Sequence, residues 1–486
     1  MPQSNSQPAK LVRRLSLSDS ILLLAGGIIG SGIFLTAQQV AVNTRSPWLF
    51  LVIWIIGVAV TLLACFAFAE LGGMFPQAGG QYVYMREAYG DAAGFLYGWM
   101  YFTVSATGTM AALGVGFATY LGQAFPALQT QRAVFSISQS HLFHWILGPF
   151  TVTRGHLIAL AAIALQTLIN IFGVKRGAIL QNIATWAKFA AIGSFVVLGL
   201  ALGHGSWGHY HQAMPAAPGS ASMLTAIGIA LIAVFWAYDG WVYITFVAGE
   251  VKDPQRNLPR SLILGMALVG AVYIAINAVY LYALPMKEIA AHETVAQTAA
   301  VSMFSPRIAP WLSLMVALSC FGAIGPCLMT GARVYYAMAE DGVFFRALAR
   351  VHPRWHTPAV SLVLQAVWAS ILALSGRYDQ LFTYVMFMMV LSYVLTVAGL
   401  FILRRKKPEA DRPYRCTGYP VLPALYVILG SLWAINAALE KRKETLIGTA
   451  IVLVGVPFYL YWKRQRTAQA DLQNTSTDAA ARDQGI

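Results

Sequence analysis

Apolar residues run along this chain of 486 residues in stretches of about 20 or more, separated by short polar segments that hold most of the charge. About 20 helical residues at 1.5 Å each cross a hydrocarbon core about 30 Å thick. On that ruler the pattern predicts about twelve spans, at 19–42, 48–75, 91–126, 155–173, 178–203, 221–249, 260–284, 308–340, 358–376, 380–403, 420–439 and 446–462. The third and eighth are longer than a bilayer needs, which implies tilt or extension beyond it. The expectation is an all-α polytopic membrane protein in a lipid bilayer, with a segment 1–18 before the first span. The polar tail 467–486 reads as disordered.

Composition narrows this further. Hydrophobic types make up 58% of the chain and charged types 11%, against roughly 25% charged in a soluble domain. A soluble multidomain protein, a disordered chain and a disulfide-stapled module are thereby excluded. The net charge of +14 does not point to nucleic acid, because the basic residues sit in short runs between apolar stretches. With residues 1–18 inside, 22 of the 33 Lys and Arg fall in inner segments and 9 in outer ones. Both termini are therefore expected in the cytoplasm. The run Lys441 to Lys443 goes against this trend. A cleaved signal peptide ending near Ala41 is disfavoured, since a core holding Gly26, Gly27, Gly30 and Gly32 is poor and its loss would leave an odd number of spans.

Two spans are interrupted in corresponding places. Span one contains Gly26-Gly27-Ile28-Ile29-Gly30-Ser31-Gly32, four glycines in seven residues, each costing a helix roughly 1 kcal/mol relative to Ala. Span six contains Trp236-Ala237-Tyr238-Asp239-Gly240-Trp241, a charge and a glycine at mid-depth. Such a pair predicts two five-helix repeats of inverted topology, 19–203 and 221–403, followed by a last pair of spans at 420–462. Backbone bared in mid-membrane is tolerated only where it lines a cavity. Its free N–H groups suit a carboxylate and its free C=O groups an ammonium. An α-amino acid carries both on one carbon. The alternative for the glycines of span one is close small-residue helix packing.

At these positions the sequence resembles the amino acid–polyamine–organocation superfamily and, within it, the L-type amino-acid transporters. Gly27-Ile28-Ile29-Gly30-Ser31-Gly32-Ile33-Phe34 is similar to their first-helix signature. The stretch from Phe246 to Pro259, which contains Gly249-Glu250-Val251-Lys252-Asp253-Pro254, is similar to the segment leaving their sixth helix. Phe75-Pro76-Gln77-Ala78-Gly79-Gly80 and Leu318-Ser319-Cys320-Phe321-Gly322 also match. The likeness runs from about Leu15 to Arg464.

The resemblance implies the LeuT-type fold. It places a substrate carboxylate on the N–H groups of Gly30, Ser31 and Gly32, with the Ser31 hydroxyl as a further donor. The substrate amine would fall to the carbonyls of Ile28, Trp236 and Asp239, beside Gly240. Trp236 stands where many relatives have the aromatic that closes the outer gate; a packing or interface role is the alternative. Lys188 matches a helix-five lysine whose ammonium takes the place of a sodium ion and touches the broken first helix. The alternatives are snorkelling toward the inner surface and a structural ion pair. Asp239 matches a subset of relatives that accept cationic amino acids. It would either pair with such side chains or turn away, capping the half-helix or meeting Lys188.

Other polar groups have plainer expectations. Glu70, Glu250, Arg333 and Glu340 lie near inner span ends and suit gate or structural pairs. Met386, Met388 and Met389 suit packing. His204, His209 and His211 share one outer loop, either solvated or as a weak metal site. Cys65, Cys320, Cys327 and Cys416 fit no zinc spacing. The outer loop 125–154 has no Cys, so a disulfide-linked heavy subunit, known in human L-type transporters, is not expected. No cofactor is implied, and no His pair, nucleophile elbow or paired intramembrane aspartates suggest an enzyme. The expected activity is sodium-independent amino-acid antiport by alternating access, in a cell membrane of bacterial inner-membrane type. Proton symport and a flux-free amino-acid sensor are the competing readings.

Overall fold

The computed structural model describes residues 11–30, 32–137, 150–215, 222–375, 378–440 and 442–467. The first helix, Leu17–Ile28, starts at a capping box. Asp19 N–H donates to Ser16 Oγ at 3.2 Å, and Ser16 N–H donates to Asp19 Oδ2 at 2.9 Å. Among the described residues, eight helices are long and apolar enough to cross a bilayer: Pro47–Met74, Asp91–Ala124, Arg154–Ile171, Val174–Leu202, Pro254–Ala283, Pro306–Glu340, Met388–Lys406 and Thr445–Thr467. Four shorter apolar helices, Leu17–Ile28, Thr225–Ala237, Ala359–Ser375 and Val421–Asn436, fall at the remaining expected spans. The chain is an all-α polytopic membrane protein, apart from one feature the hydropathy pattern does not carry. Ala133–Ile137 and Phe150–Thr153 pair as an antiparallel ribbon between spans three and four.

Boundaries differ from the expectation by a few residues, because helices continue past the hydrocarbon wherever a cap is absent. Span ten runs Tyr378–Lys406. Short helices Gln81–Tyr89, Met286–Ala291 and Val295–Met303 fill connections read as loops. Span three contains a π-helical turn at Tyr101–Ser105. Residues 468–486 of the expected disordered tail lie outside the described residues.

The bundle is inside-out relative to a soluble protein, since lipid rewards apolar surface and polar groups must find partners within. Span five (Val174–Leu202) shows it: Gln181, Thr185 and Lys188 are buried, while Ile179, Ile183 and Trp186 are exposed. The buried charges are paired. Arg333 Nε donates to Glu250 Oε1 at 2.6 Å with both side chains essentially inaccessible. Glu70 accepts from Arg404 Nη2 and from the Cys416 N–H, each at 2.6 Å. Glu340 takes a hydroxyl instead, Tyr336 Oη at 2.6 Å. His204 and His209 approach the carbonyls of Met303 and Tyr282 at 3.2 and 3.1 Å and so tie the outer loop to its neighbours, while His204 and His211 remain exposed. All four cysteines are free and buried.

Candidate functional site

Span one stops being helical where the glycines cluster. Leu17–Ile28 ends, Gly30 N–H turns back to the Ile28 carbonyl at 2.8 Å, and the second half, Gly32–Thr44, begins two residues later. Ser31, expected at the centre of the site, lies outside the described residues. Span six breaks as well. Met223–Ala237 gives way to turns at Tyr238 to Val242, and helix returns only as Tyr243–Phe246.

The two breaks touch backbone to backbone. A Cβ on Gly32 would lie 3.0 Å from the Ala237 Cα, and one on Gly240 would lie 3.1 Å from the Gly27 carbonyl carbon. Gly240 also has φ +104, a conformation that costs any other residue strain. The segments that resemble one another's family motifs meet nearby. Gly79 N–H donates to the Phe246 carbonyl at 3.0 Å, and Leu15 pairs in parallel with Val251. The start of span one and the exit of span six are thus held together at the same face.

A broken helix leaves carbonyls without their i+4 amides, and three neighbouring spans supply donors. Lys188 of span five, 6% exposed, donates from Nζ to the carbonyls of Gly26 at 3.0 Å and Ile29 at 2.6 Å. Tyr273 Oη of span seven donates to Ile28 at 3.1 Å, and Ser319 Oγ of span eight donates to Ile29 at 3.1 Å and Gly30 at 3.3 Å. Gly322 leaves room for the lysine: a Cβ there would sit 3.3 Å from Lys188 Cε. Span five grips the rest of the half-helix with Thr185 Oγ1 on the Leu22 carbonyl at 3.2 Å and Asn182 Nδ2 on Asp19 Oδ1 at 2.6 Å. The lysine is therefore neither snorkelling nor in a carboxylate pair. Its charge lies against the negative end of the first half-helix.

Asp239 does not meet Lys188. Its Oδ1 accepts from Tyr393 Oη of span ten at 2.6 Å, in an apolar space of about 800 Å³ that also touches Phe235, Trp241, Met389 and Trp433. Trp236 is half-buried at the end of the first half of span six, next to Ala237 on the Gly32 contact. The carbonyls of Ile28 and Trp236 already accept the amides of Gly30 and Asp239 at 2.8 and 3.1 Å. The Ile28 carbonyl also takes Tyr273 Oη as a second donor at 3.1 Å. Met386 has its side chain outside the described residues; Met389 Sδ accepts from Ser105 Oγ at 2.9 Å and so packs inside the bundle.

The structure thus brings Gly26 to Gly30, Gly32, Lys188 and Gly240 to one junction, with Trp236 next in the chain to the Ala237 contact, and turns the Asp239 carboxylate toward span ten. Ser319 and Tyr273 are the partners sequence reasoning missed. Ser319 lies in the span-eight motif beside Gly322, which was a usable signal; nothing in the sequence around Tyr273 marks it.

This junction, in an all-α integral membrane protein, defines a membrane permease. The family described as "Amino acid permease" matches residues 15–456, so the chain belongs to that family, in the amino acid–polyamine–organocation superfamily. It is 30% identical to the serine/threonine exchanger SteT of Bacillus subtilis (strain 168) over 462 residues, 94% of this chain and 98% of that protein. The b(0,+)-type amino acid transporter 1 of Mus musculus is 30% identical over 460 residues, 93% and 89% of the two chains. The human large neutral amino acids transporter small subunit 2 is 29% identical over 468 residues, 95% and 83%.

Proposed function

We propose that this amino-acid transporter is a sodium-independent exchanger. The observation carrying the reading is the Lys188 ammonium, bound to two carbonyls of the broken first helix. A fixed cation there supplies the charge that a coupling ion would otherwise bring. The substrate carboxylate lies on the amides of Gly30, Ser31 and Gly32, and its amine near the carbonyls of Ile28, Trp236 and Asp239, with Gly240 opening the space. Trp236 closes over it. Asp239, held by Tyr393, admits cationic side chains beside neutral ones. Residues 19–203 and 221–403 form inverted repeats, and a bundle of spans one, two, six and seven rocks on the remaining spans as scaffold, with 420–462 as an added pair of spans.

The match to an exchanger named for serine and threonine supports antiport of small neutral amino acids. The Lys and Arg distribution supports cytoplasmic termini, and the Cys-free outer loop 125–154 supports a self-sufficient chain of bacterial inner-membrane type. With every cysteine buried, a disulfide-linked subunit is not part of this reading. Proteoliposomes preloaded with serine should take up labelled serine, and empty ones should not, with or without sodium. Uptake that requires sodium, or that a pH gradient drives into empty vesicles, would overturn the exchanger reading.

A further inference from the structure

On the face of the bundle from which span one starts, three separate segments surround a cavity of about 1070 Å³. Arg14 reaches it from the segment before span one, Lys175 and Arg176 from the first turn of span five, and Arg354 from the connection between spans eight and nine. Among the described residues none of these four cations has a carboxylate within ion-pairing distance. Elsewhere at this face a carboxylate answers some of the cations, as Glu250 does Arg333, Glu70 does Arg404 and Glu87 does Lys407; around this cavity no carboxylate lines the wall among the described residues. Phe172 and Trp355 close one wall, ring centroids 4.9 Å apart and nearly perpendicular. The uncapped start of Val174–Leu202 opens into the same space and adds its partial positive charge; the cavity and its four cations carry the assignment.

The lipid side of this cavity continues along one helix face. Arg176 and Ile179 line it, and one turn deeper Leu180 and Ile183 line a second, apolar groove of about 750 Å³ between spans one, five and eight. That groove follows Ala184, Ala187 and Ala191 to Ile192, with the exposed Leu318 on its far wall. The spacing 176, 179/180, 183/184, 187, 191 is a single helical stripe. From Ile179 to Ile192 it covers about 20 Å at 1.5 Å per residue, a little more than one leaflet of a 30 Å hydrocarbon core. Four unpaired cations at the polar edge and a leaflet-deep apolar slot below them have the shape and charge of one ligand. We propose that this is a binding site for an anionic phospholipid, its phosphodiester headgroup among Arg14, Lys175, Arg176 and Arg354 and an acyl chain along span five. Lys188 and Ser319 form part of the groove wall. The bound chain therefore abuts two of the side chains that hold the broken first helix.

The test reconstitutes the full chain in phosphatidylcholine nanodiscs with spin-labelled phosphatidylglycerol or spin-labelled phosphatidylcholine and reads the motionally restricted fraction. The native chain should restrict phosphatidylglycerol severalfold over phosphatidylcholine. Arg14→Gln/Arg176→Gln/Arg354→Gln should bring that preference close to one, since the headgroup attraction rests on the cations. Ala187→Trp, which fills the groove and leaves the cations, should also lower phosphatidylglycerol retention. Should the triple variant not fold, molar sodium chloride on the native chain makes the same electrostatic test. A preference untouched by charge removal or by salt overturns the proposal. Displacement of the labelled lipid by millimolar inorganic phosphate would reassign the cavity to a free anion and overturn it equally.

Discussion

Lys188 Nζ lies 2.6 Å from the carbonyl oxygen of Ile29, the last residue before the chain of span one bends away from helix. An ammonium delivered from span five therefore completes a carbonyl cage belonging to span one. The bond ties span five to residues that adjoin those proposed to touch substrate, so its removal tests stability and transport together.

Lys188→Met leaves the carbonyls of Gly26 and Ile29 buried with a donor lost. An unsatisfied buried acceptor costs about 1–3 kcal/mol. Thermal unfolding in detergent should move down, and exchange in preloaded proteoliposomes should fall at least tenfold. A variant with native exchange would remove the lysine from the mechanism.

Ser31→Leu puts a branched apolar side chain where a hydroxyl and amides are proposed to receive a carboxylate. Binding of labelled amino acid should vanish while the protein still elutes as a single folded species. Persistent uptake would count against this location of the site.

Asp239→Asn keeps the volume and removes the charge beside Tyr393. Lysine, arginine and ornithine should lose the ability to compete for uptake, and serine and leucine should keep it. If the competition profile of the standard amino acids is unchanged, the carboxylate serves only its bond to Tyr393.

Gly240→Ala forces φ +104 on a residue with a Cβ and drives that carbon to 3.1 Å from the Gly27 backbone. The left-handed conformation alone costs roughly 1–2 kcal/mol. The expected result is a less stable protein with slowed exchange, measured as melting temperature and initial rate; a neutral substitution would show that the two breaks can separate freely.

Glu250→Gln and Arg333→Met each orphan one member of a buried pair, at about 3–5 kcal/mol. Replacing both with apolar residues should recover much of that loss. A double-mutant cycle on unfolding in detergent measures it, and additive losses would show the two side chains to be uncoupled.

The broken helices were legible in the sequence because their cause is local. Four glycines in seven residues weaken a helix wherever they stand, and a charge next to glycine at mid-span demands a cavity. The inside-out distribution of polar residues also follows from composition, since lipid takes the apolar side of every span. Lys188 stood out for the same reason: an intramembrane charge must be paid for by a partner. The residues of span five alone do not name its partner; the family likeness is what sets it against the broken first helix. Lys188 and Ile29 are far apart in the chain, and carbonyl, carboxylate and water are equally compatible with one buried lysine. Asp239 shows the limit most plainly, for its bond to Tyr393 depends on the rotation of span six against span ten, which no local pattern encodes. The ribbon Ala133–Ile137 with Phe150–Thr153 escaped because a span-length hydropathy ruler is blind to short pairs of strands in a loop.

By itself, then, the order of residues determined how many times the chain meets the bilayer and where two of its helices must fail, because hydrophobic length and backbone propensity are properties of neighbours along the chain. Only the tertiary structure decided that Lys188, Tyr273 and Ser319 share the exposed carbonyls of span one, and that four unpaired cations from three segments enclose one cavity. Hydrogen bonds and charge clusters of that kind are set by which helix faces pack together, and that packing is a property of the whole bundle.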